Sequence, residues 1–402
     1  MTQSQTTNPL VRRPTTSKRL AQLPPYFFHK LNARLATLAA AGHDVIRMDA
    51  GSPDLPPAPH IIAALEESAR NPGNHGYQSY NGTPAYRDAW REFYAERFDV
   101  QLADSEVTMV IGAKEGVFNL SQAYLDPGDV SLVPDPGYAP YAAGARFAGA
   151  EVFHLPLRER ESYLPDLEAI PAEALKRAKL LWLNYPNNPT GAVATPEFFE
   201  RVVRFAATHG LLVAHDAPYT EITYDGYVAP SILQAPGAVE VAIEFHSVSK
   251  TYNMGGWRLG VAVGNAEAVR ALSTLKSNID SGTFRGVMDA AVAALTGDQA
   301  WTLERNAHYR RRRDLAVTAL RRAGLAVSVP KAAIYVWARL PEGVDDVAWV
   351  DGLLEQQHVS LTPGSIFGPA GRGYVRLSLC LADARLEEAA ERIGRYDHRQ
   401  SP

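Results

Sequence analysis

Seven short apolar runs alternate with helical stretches between Val107 and Val263, and each run is rich in residues that favour β-strands. Strands that alternate with helices predict a mostly parallel sheet with helices on both faces, so the predicted fold class is α/β. Ligands of such sheets bind just beyond the carboxyl ends of the strands. We predict the seven strands at 107–111, 130–134, 151–155, 179–184, 211–216, 241–247 and 259–263.

The segments that follow five of these runs carry polar groups, glycines and aromatic rings. Because the carboxyl ends of parallel strands lie at one edge of a sheet, we expect these segments to line a single site. They are residues 112–116, 135–138, 185–191, 216–219 and 247–250.

The C-terminal part of the chain has a different pattern, which predicts a smaller α+β domain. Its basic run Arg310–Arg313 lies in a helical segment, and we expect that run to form a solvated helix face rather than an anion site. The elements expected here are helices over 301–322 and 384–395 and strands near 326–329, 335–339, 360–362 and 374–379.

The length of 402 residues exceeds what one hydrophobic core usually holds, so more than one domain is expected. We predict a large domain with the parallel sheet over residues 49–286 and a small domain over 287–402. Residues 1–48 have little core of their own and are expected to form an arm that packs with the small domain. Residues 1–17 lack a periodic apolar pattern and are expected to be poorly ordered.

Composition excludes several classes of partner. A net charge of −4 provides no electrostatic footprint for nucleic acid or for an acidic membrane surface. No apolar stretch reaches the ~18 residues that would cross a membrane. The single cysteine, Cys380, excludes an intramolecular disulfide framework and a multi-cysteine metal site, and it suits a reducing compartment. We therefore expect a cytoplasmic protein with no metal, nucleic-acid or membrane partner.

Lys250 follows the sixth run, between hydroxyl residues and a glycine-rich turn. An isolated lysine is usually a surface residue, whereas a lysine that reaches a shared pocket can form a Schiff base. Arg258 lies eight residues after Lys250, and together with Ser247 it can clamp a phosphate. This combination favours the Schiff-base interpretation.

Two further strand ends point to the same kind of ligand. The turn Gly112-Ala113-Lys114 precedes a predicted helix whose free amides and positive dipole end suit a phosphate, although many α/β proteins carry a glycine there. Asp216 either caps a helix or forms an edge ion pair, or it holds a positive charge within the site.

Three more residues complete the set. Tyr138 offers a flat ring, and Asn188 and Tyr219 offer hydrogen bonds. A phosphate, a cationic aromatic nitrogen, a phenolic oxygen and an aldehyde for the lysine together describe one cofactor, pyridoxal 5′-phosphate (PLP).

The stretch SVSKTYNMGGWRLG resembles the lysine signature of the class I/II aminotransferases of fold type I, and NYPNNPTG and HDAPY resemble two further hallmarks of that family. The resemblance extends from about Arg19 to Arg395. It is strongest to the LL-diaminopimelate aminotransferase branch, through MDAGSPDLPP, HGYQSYNGTPAYRDA, IGAKEGVF, KSNIDSGTF and LTPGSIFGPAGRGYVRLSL.

The resemblance implies roles toward PLP. Lys250, Asp216 and Tyr219 are the implied catalytic residues. Lys250 would bind the cofactor as a Schiff base and move a proton between two carbons, and Asp216 would keep the ring nitrogen protonated. The other implied contacts are a stacked ring from Tyr138, hydrogen bonds to the ring oxygen from Asn188 and Tyr219, phosphate contacts from Ala113, Lys114, Ser247 and Arg258, and a contact from Tyr77 to the partner subunit's phosphate.

The resemblance also implies how the substrate is held. Arg376, in YVRLS, would grip the α-carboxylate with its planar fork. Gly51 lies in a loop expected to close over the substrate, and Asn188 is a further expected contact. Lys114 either adds charge near the phosphate or reaches the distal polar end of the substrate, as in the diaminopimelate branch.

The expected activity is a PLP-dependent aminotransferase that works as a homodimer with shared active sites. It would exchange an amino group between an amino acid and a 2-oxo acid, with glutamate and 2-oxoglutarate as one pair. Pro218, Met288 and the form MDAGSPD depart from the branch pattern without removing a cofactor contact. The alternatives are aspartate-, alanine- or aromatic-type aminotransferases, or a PLP-dependent C–S lyase on the same fold.

Overall fold

The computed structural model describes residues 15–21, 23 and 27–397. The order expected for residues 1–17 concerns a segment of which residues 1–14 lie outside this description. The strands are β1 (Ile46–Arg47), β2 (Val107–Val110), β3 (Val130–Asp135), β4 (Glu151–Pro156), β5 (Ala178–Leu183), β6 (Leu212–Asp216), β7 (Ala242–Ser247), β8 (Gly260–Gly264), β9 (Ala326–Val327), β10 (Tyr335–Arg339), β11 (Val359–Ser360), β12 (Thr362–Pro363) and β13 (Tyr374–Ser378).

Helices separate most of these strands, as the alternating pattern predicts. None of the helices in the described ranges is long and apolar enough to cross a membrane. They are α1 (Lys18–Ala21), α2 (Phe27–Ala40), α3 (Pro59–Arg70), α4 (Pro84–Phe98), α5 (Ala113–Tyr124), α6 (Ala139–Ala148), α7 (Ala172–Leu175), α8 (Pro196–His209), α9 (Ala238–Val241), α10 (Val248–Thr251), α11 (Ala266–Lys276), α12 (Arg285–Thr296), α13 (Ala300–Arg322), α14 (Asp346–Gln357) and α15 (Asp383–Arg395).

The central sheet confirms the predicted α/β class and has seven strands in the order β2-β8-β7-β6-β5-β3-β4. Strands β3 to β7 pair in parallel, and β8 runs antiparallel to both of its neighbours, β2 and β7. Every residue of β3, β6 and β7 is buried, as expected for strands that are covered on both faces. The edge strand β4 is only partly buried.

Two hydrophobic clusters cover the two faces of this sheet. Alternate residues of one strand enter different clusters, so Trp182 packs on one face with α5, α6 and α11, whereas Leu181 packs on the other with α4, α8 and α12. The alternation also separates His215 from Asp216, which follows it on β6. The carboxyl ends of β5, β6 and β7 therefore present side chains to the rim from a rigid, buried layer.

The C-terminal part forms a second unit with its own hydrophobic cluster. Strands β12, β13, β10 and β9 form an antiparallel sheet, and β1 pairs in parallel with β11. On the N-terminal side, Leu31 and Leu35 of α2 pack against Leu354 of α14, while α1 contacts α6. The domain boundaries proposed from the sequence stay a prediction.

The expectation for Arg310–Arg313 is wrong for two of its four residues. Arg312 and Arg313 are buried, with relative exposures of 4% and 3%. Arg312 pairs with Asp54 at 2.8 Å and with Asp383 at 2.6 Å, and Arg313 pairs with Asp225 at 2.6 Å. These carboxylates are distant in the sequence, so Arg312 and Arg313 tie α13 to three other segments, whereas Arg310 and Arg311 are exposed as expected.

Candidate functional site

The rim above β5, β6 and β7 gathers most of the residues expected at the site. β6 ends at Asp216, and β7 ends at Ser247, which is followed at once by the single-turn helix α10 with Lys250. The Ser247 hydroxyl accepts a bond from the amide of Ser249 at 3.1 Å, which starts this turn. The sequence therefore directs Lys250 toward the same edge as Asp216.

Lys250 is a partly buried residue. Burial lowers the pKa of its side chain to about 8, and the nearby cations of Arg376 and Arg258 also lower it. Its Nζ donates a hydrogen bond to the carbonyl of Gly51. A lysine with this pKa is partly neutral near pH 7.5 and can act as a nucleophile or a base.

Asp216 is a buried carboxyl group with one oxygen left unsatisfied. Its Oδ2 accepts a hydrogen bond from the Tyr141 hydroxyl at 2.7 Å, whereas its Oδ1 is buried without a partner among the described residues. Burial raises the pKa of Asp216 to about 6, and the Tyr141 bond offsets part of that rise. An unpaired buried oxygen is costly unless a ligand completes it, so Oδ1 marks a position for a cationic or hydrogen-bonding ligand atom.

Two cations, Arg258 and Lys114, lie at the start of α5. Gly112 has a φ of +74°, and a Cβ there would overlap the Arg258 guanidinium. Arg258 donates to the carbonyl of Gly255 at 2.8 Å and forms no ion pair with the described acidic residues. Burial lowers the pKa of Lys114, and the Arg258 charge lowers it further. Two mutually repelling cations at the N-terminal end of α5 suit an anion.

Arg376 lies buried on β13 with its guanidinium sandwiched between the rings of Tyr335 and Phe367, at 4.3 Å and 4.7 Å from the ring centroids. It donates to Asn188 Oδ1 at 2.9 Å and to the carbonyl of Asp49 at 2.7 Å. Its Nε is buried without a partner in the described chain. A guanidinium without a carboxylate is ready to bind one.

Tyr219, Gly51 and Arg376 all meet Tyr335, which the sequence interpretation missed. The hydroxyls of Tyr219 and Tyr335 lie 3.1 Å apart, and a Cβ on Gly51 would overlap the Tyr335 hydroxyl. Tyr335 carried no signal, because it belongs to an ordinary strand of the other unit.

Tyr141 and Arg305 were also missed. Tyr141 lies one helical turn after Tyr138, and this spacing was a usable signal. Arg305, on α13, donates to the backbone carbonyls of Lys250, Thr251 and Glu221 and so fixes the turn that carries the lysine.

The remaining expected residues differ in their surroundings. The ring of Tyr138 is half-buried and meets Tyr141 edge-on, with ring centroids 5.7 Å apart. Tyr77 is 93% exposed, so the structure does not bring it to the site of its own chain. The assembled groups can thus hold an anion, a cationic ring atom and a carboxylate around one partly buried lysine.

The comparisons with known proteins agree with this chemistry. Residues 43–393 match the family model described as aminotransferase class I and II. The LL-diaminopimelate aminotransferase of Dehalococcoides mccartyi is 48% identical over 381 residues, which cover 94% of this chain and 98% of the relative. The enzyme of the same name from Desulforudis audaxviator is 51% identical over 378 residues, covering 94% and 96%.

Solved structures are similar over nearly the whole chain. Substrate-bound BacF from Bacillus subtilis has a TM-score of 0.92 at 37% identity and covers 95% of this chain and 98% of its own. The Thermus thermophilus aspartate aminotransferase with maleate has a TM-score of 0.88 at 31% identity and covers 95% and 100%.

Proposed function

The chain belongs to the class I and II aminotransferases, and we propose that within this family it uses LL-diaminopimelate as its distinguishing substrate, paired with glutamate and 2-oxoglutarate. It is a PLP-dependent enzyme that moves an amino group between an amino acid and a 2-oxo acid. The observation that carries the substrate proposal is the 44–51% identity to relatives that bear that name.

The residues present fit PLP. The unpaired Oδ1 of Asp216 suits a protonated ring nitrogen, the amine of Lys250 with its lowered pKa suits the aldehyde, and the cations of Arg258 and Lys114 at the start of α5 suit the phosphate. Bound there, PLP supplies a conjugated ring that withdraws electrons from the substrate Cα and so makes its proton acidic.

In the proposed mechanism the protein supplies charge, orientation and a proton carrier. Lys250 would take the Cα proton and return it to the carbon on the other side of the amino nitrogen, because its lowered pKa leaves a neutral fraction near pH 7.5. Asp216 holds a negative charge opposite the ring nitrogen in a shielded position. Tyr219 and Asn188 would hydrogen-bond the ring oxygen, and Tyr138 would cover the ring face.

Arg376 binds the α-carboxylate that all amino-acid substrates share. The guanidinium is held in place by its hydrogen bonds to Asn188 Oδ1 and to the Asp49 carbonyl. Its Nε has no partner in the described chain and can donate to a carboxylate. Gly51 lies close to both Tyr335 and Lys250. Because it has no side chain, the Tyr335 hydroxyl can approach its backbone, and its carbonyl accepts the hydrogen bond from Lys250 Nζ.

Lys114 is the proposed contact for the distal charge of the substrate. Burial and the Arg258 charge lower its pKa, and a carboxylate brought beside it would relieve that repulsion. The alternative is that Lys114 serves only the phosphate.

The test is a half-reaction screen in which the loss of the PLP absorbance is followed with LL-diaminopimelate, glutamate, aspartate and alanine. LL-diaminopimelate should give a kcat/KM at least comparable with that of glutamate, and Lys114→Ala should lower it about 5- to 30-fold more than that of alanine. Equal losses for all amino acids, with weaker PLP retention, would assign Lys114 to the phosphate. The screen also includes cystathionine, a thioether amino acid, and its β-elimination without transamination of the other substrates would instead favour a C–S lyase.

A homodimer with shared sites is a further part of the proposal. Tyr77, Tyr80, Ile279 and Phe284 are exposed at 93%, 42%, 57% and 39%. They form one patch, because His75 stacks on Phe284 with the ring centroids 5.6 Å apart and a Cβ on Gly282 would touch the Ser79 carbonyl at 3.0 Å. An apolar patch of this kind suits a second copy of the chain, whose phosphate site Tyr77 would reach.

The dimer is tested by Ile279→Glu, with Val228→Glu as a control at a comparably exposed apolar position. The first variant should halve the mass in solution and weaken PLP binding, and the control should change neither.

We further propose a large domain at 49–286, a small domain at 287–402 with the arm 1–48, and a cytoplasmic location suited to the single free Cys380. Cell fractionation tests the location.

A further inference from the structure

Tyr335 contacts three groups of the proposed site while belonging to none of its sequence motifs. The residue is 3% exposed and lies on β10, next to the strand that carries Arg376. Its hydroxyl is 3.1 Å from that of Tyr219, and its ring face lies 4.3 Å from the Arg376 guanidinium carbon. Its hydroxyl leaves no room for a side chain at position 51, where the residue is glycine.

The direction of the bond between the two hydroxyls decides what Tyr219 can do. If Tyr219 donates to Tyr335, its only proton is used and cannot reach the cofactor. If Tyr335 donates, the Tyr219 proton is free to point into the site. Donation by Tyr335 also polarises the Tyr219 hydroxyl and strengthens it as a donor.

The charges around the pair favour donation by Tyr335. The Arg376 cation over the ring face withdraws electron density from the Tyr335 phenol and makes it the stronger donor. Burial raises the pKa of Tyr219, the neighbouring Tyr335 hydroxyl and the Asp216 carboxylate raise it further, and Arg376 offsets part of the rise, so Tyr219 keeps its own proton. The other charged groups of the site are Arg258 and Lys114 at the start of α5 and Lys250, which is held by the Gly51 carbonyl.

We propose that Tyr335 is a positioning residue: it donates its hydrogen bond to Tyr219, biased by Arg376, and so directs the Tyr219 proton at the ring oxygen of the cofactor. This inference rests on the proposed function. It assigns the small unit a part in setting the electronic state of a cofactor that the large unit binds.

The experiment titrates the visible absorbance of PLP-loaded enzyme against pH. A strong donor at the ring oxygen favours its anionic form, so weakening that donor should move the titration to higher pH. Tyr335→Phe should raise the midpoint by about 0.5 and lower kcat about 3- to 10-fold, with less than about a twofold change in KM, because the ring under Arg376 remains.

A matched control separates this effect from the loss of a buried hydroxyl. Tyr224 also lies under an arginine, with Arg313 at 5.0 Å, and its hydroxyl donates to the Ala333 carbonyl at 2.6 Å, in the same hydrophobic cluster. Tyr224→Phe should lower the melting temperature without moving the absorbance titration.

A second variant keeps the test decisive if Tyr335→Phe folds poorly. Replacement of Tyr335 by 3-fluorotyrosine makes the phenol more acidic at nearly constant shape and should move the midpoint to lower pH. A shift to higher pH with fluorotyrosine, or an unchanged or lowered midpoint with Tyr335→Phe, would overturn the proposal. Wild-type protein that shows no PLP absorbance would contradict the proposed function itself, which is a separate outcome.

Discussion

Asp216 and Glu244 are buried carboxyl groups on the neighbouring strands β6 and β7, and they have opposite surroundings. Glu244 accepts bonds from Tyr94 at 2.6 Å, Ser231 at 2.9 Å and the amide of Ile232 at 3.1 Å, and it lies 2.7 Å from His215. Asp216 has only Tyr141 on one oxygen. The fully paired carboxyl lies inside the protein, and the half-paired one lies at the rim.

The pKa values of the two groups move in opposite directions. Burial acts to raise the pKa of Glu244, but the bonds and charge of His215, with those of Tyr94 and Ser231, lower it below its usual value. Burial raises the pKa of Asp216 to about 6. A buried carboxyl group that lacks a hydrogen-bond partner, such as Asp216, therefore indicates a ligand site better than a buried carboxyl group whose hydrogen bonds are all satisfied within the protein, such as Glu244.

The largest expected effect is on catalysis. Asp216→Asn keeps the bond from Tyr141 but removes the charge that faces the ring nitrogen. We expect kcat/KM to fall by about 10³-fold or more, which corresponds to about 4 kcal/mol, with PLP still bound. Steady-state kinetics on the PLP-loaded variant check this. Activity close to wild type would show that the ring nitrogen does not depend on Asp216.

The same kind of change at Glu244 should act on folding instead. Glu244→Ala leaves His215, Tyr94 and Ser231 without their shared acceptor, and we expect a loss of about 3–4 kcal/mol in the free energy of unfolding. Urea denaturation measures it. The folded fraction of Glu244→Ala should retain the PLP affinity of wild type. A loss of PLP binding without a loss of stability would show that Glu244, like Asp216, serves the ligand.

The pH dependence of stability should separate the two groups by sign. The pKa of Asp216 is higher in the folded protein than in the unfolded chain, so wild-type protein without PLP loses stability as pH rises from about 4 to 7. Relative to wild type, Asp216→Asn should therefore gain about 2.4 kcal/mol over that interval.

Glu244 has a lowered pKa, so it stabilises the fold above its unfolded pKa, near 4.5, and this contribution is lost as pH falls. Glu244→Gln should thus become relatively less stable as pH rises. Denaturant titrations at several pH values check both variants. If the stability relative to wild type changed with pH in the same direction for both variants, the proposed difference between Asp216 and Glu244 would be wrong.

The smallest of these effects concerns the carboxylate fork. Arg376→Lys keeps the positive charge but loses the unpaired Nε and the planar donor edge. We expect kcat/KM to fall by about 10²-fold, which corresponds to about 2.7 kcal/mol, for every amino acid. A loss confined to one substrate in a panel assay would reassign Arg376 to side-chain recognition.

The strands, and the residues at their carboxyl ends, could be predicted because both depend on local pattern. Each of the seven predicted runs of the central sheet lies within one residue of an observed strand at both ends. Motifs at strand ends share one edge by the geometry of parallel pairing, so Asp216 and Lys250 were expected together.

Contacts between distant segments could not be predicted in this way. Tyr335 meets Tyr219 only through the docking of the small unit, and the burial of Arg312 and Arg313 depends on aspartates from three remote segments. A local charge run indicates a solvated face only when no such partners exist. No pattern in the sequence indicates those partners, and none indicates that Oδ1 of Asp216 lacks a hydrogen-bond partner.

The central claim is that the incomplete polar groups at the rim surround a PLP bound to Lys250. Borohydride reduction of the PLP-loaded enzyme fixes the cofactor to the amine that holds it, and peptide mapping by mass spectrometry identifies that amine. We predict a single pyridoxyl label on Lys250, absent from Lys250→Ala. A label on another lysine, such as Lys114, or an equal label in Lys250→Ala, would contradict the account.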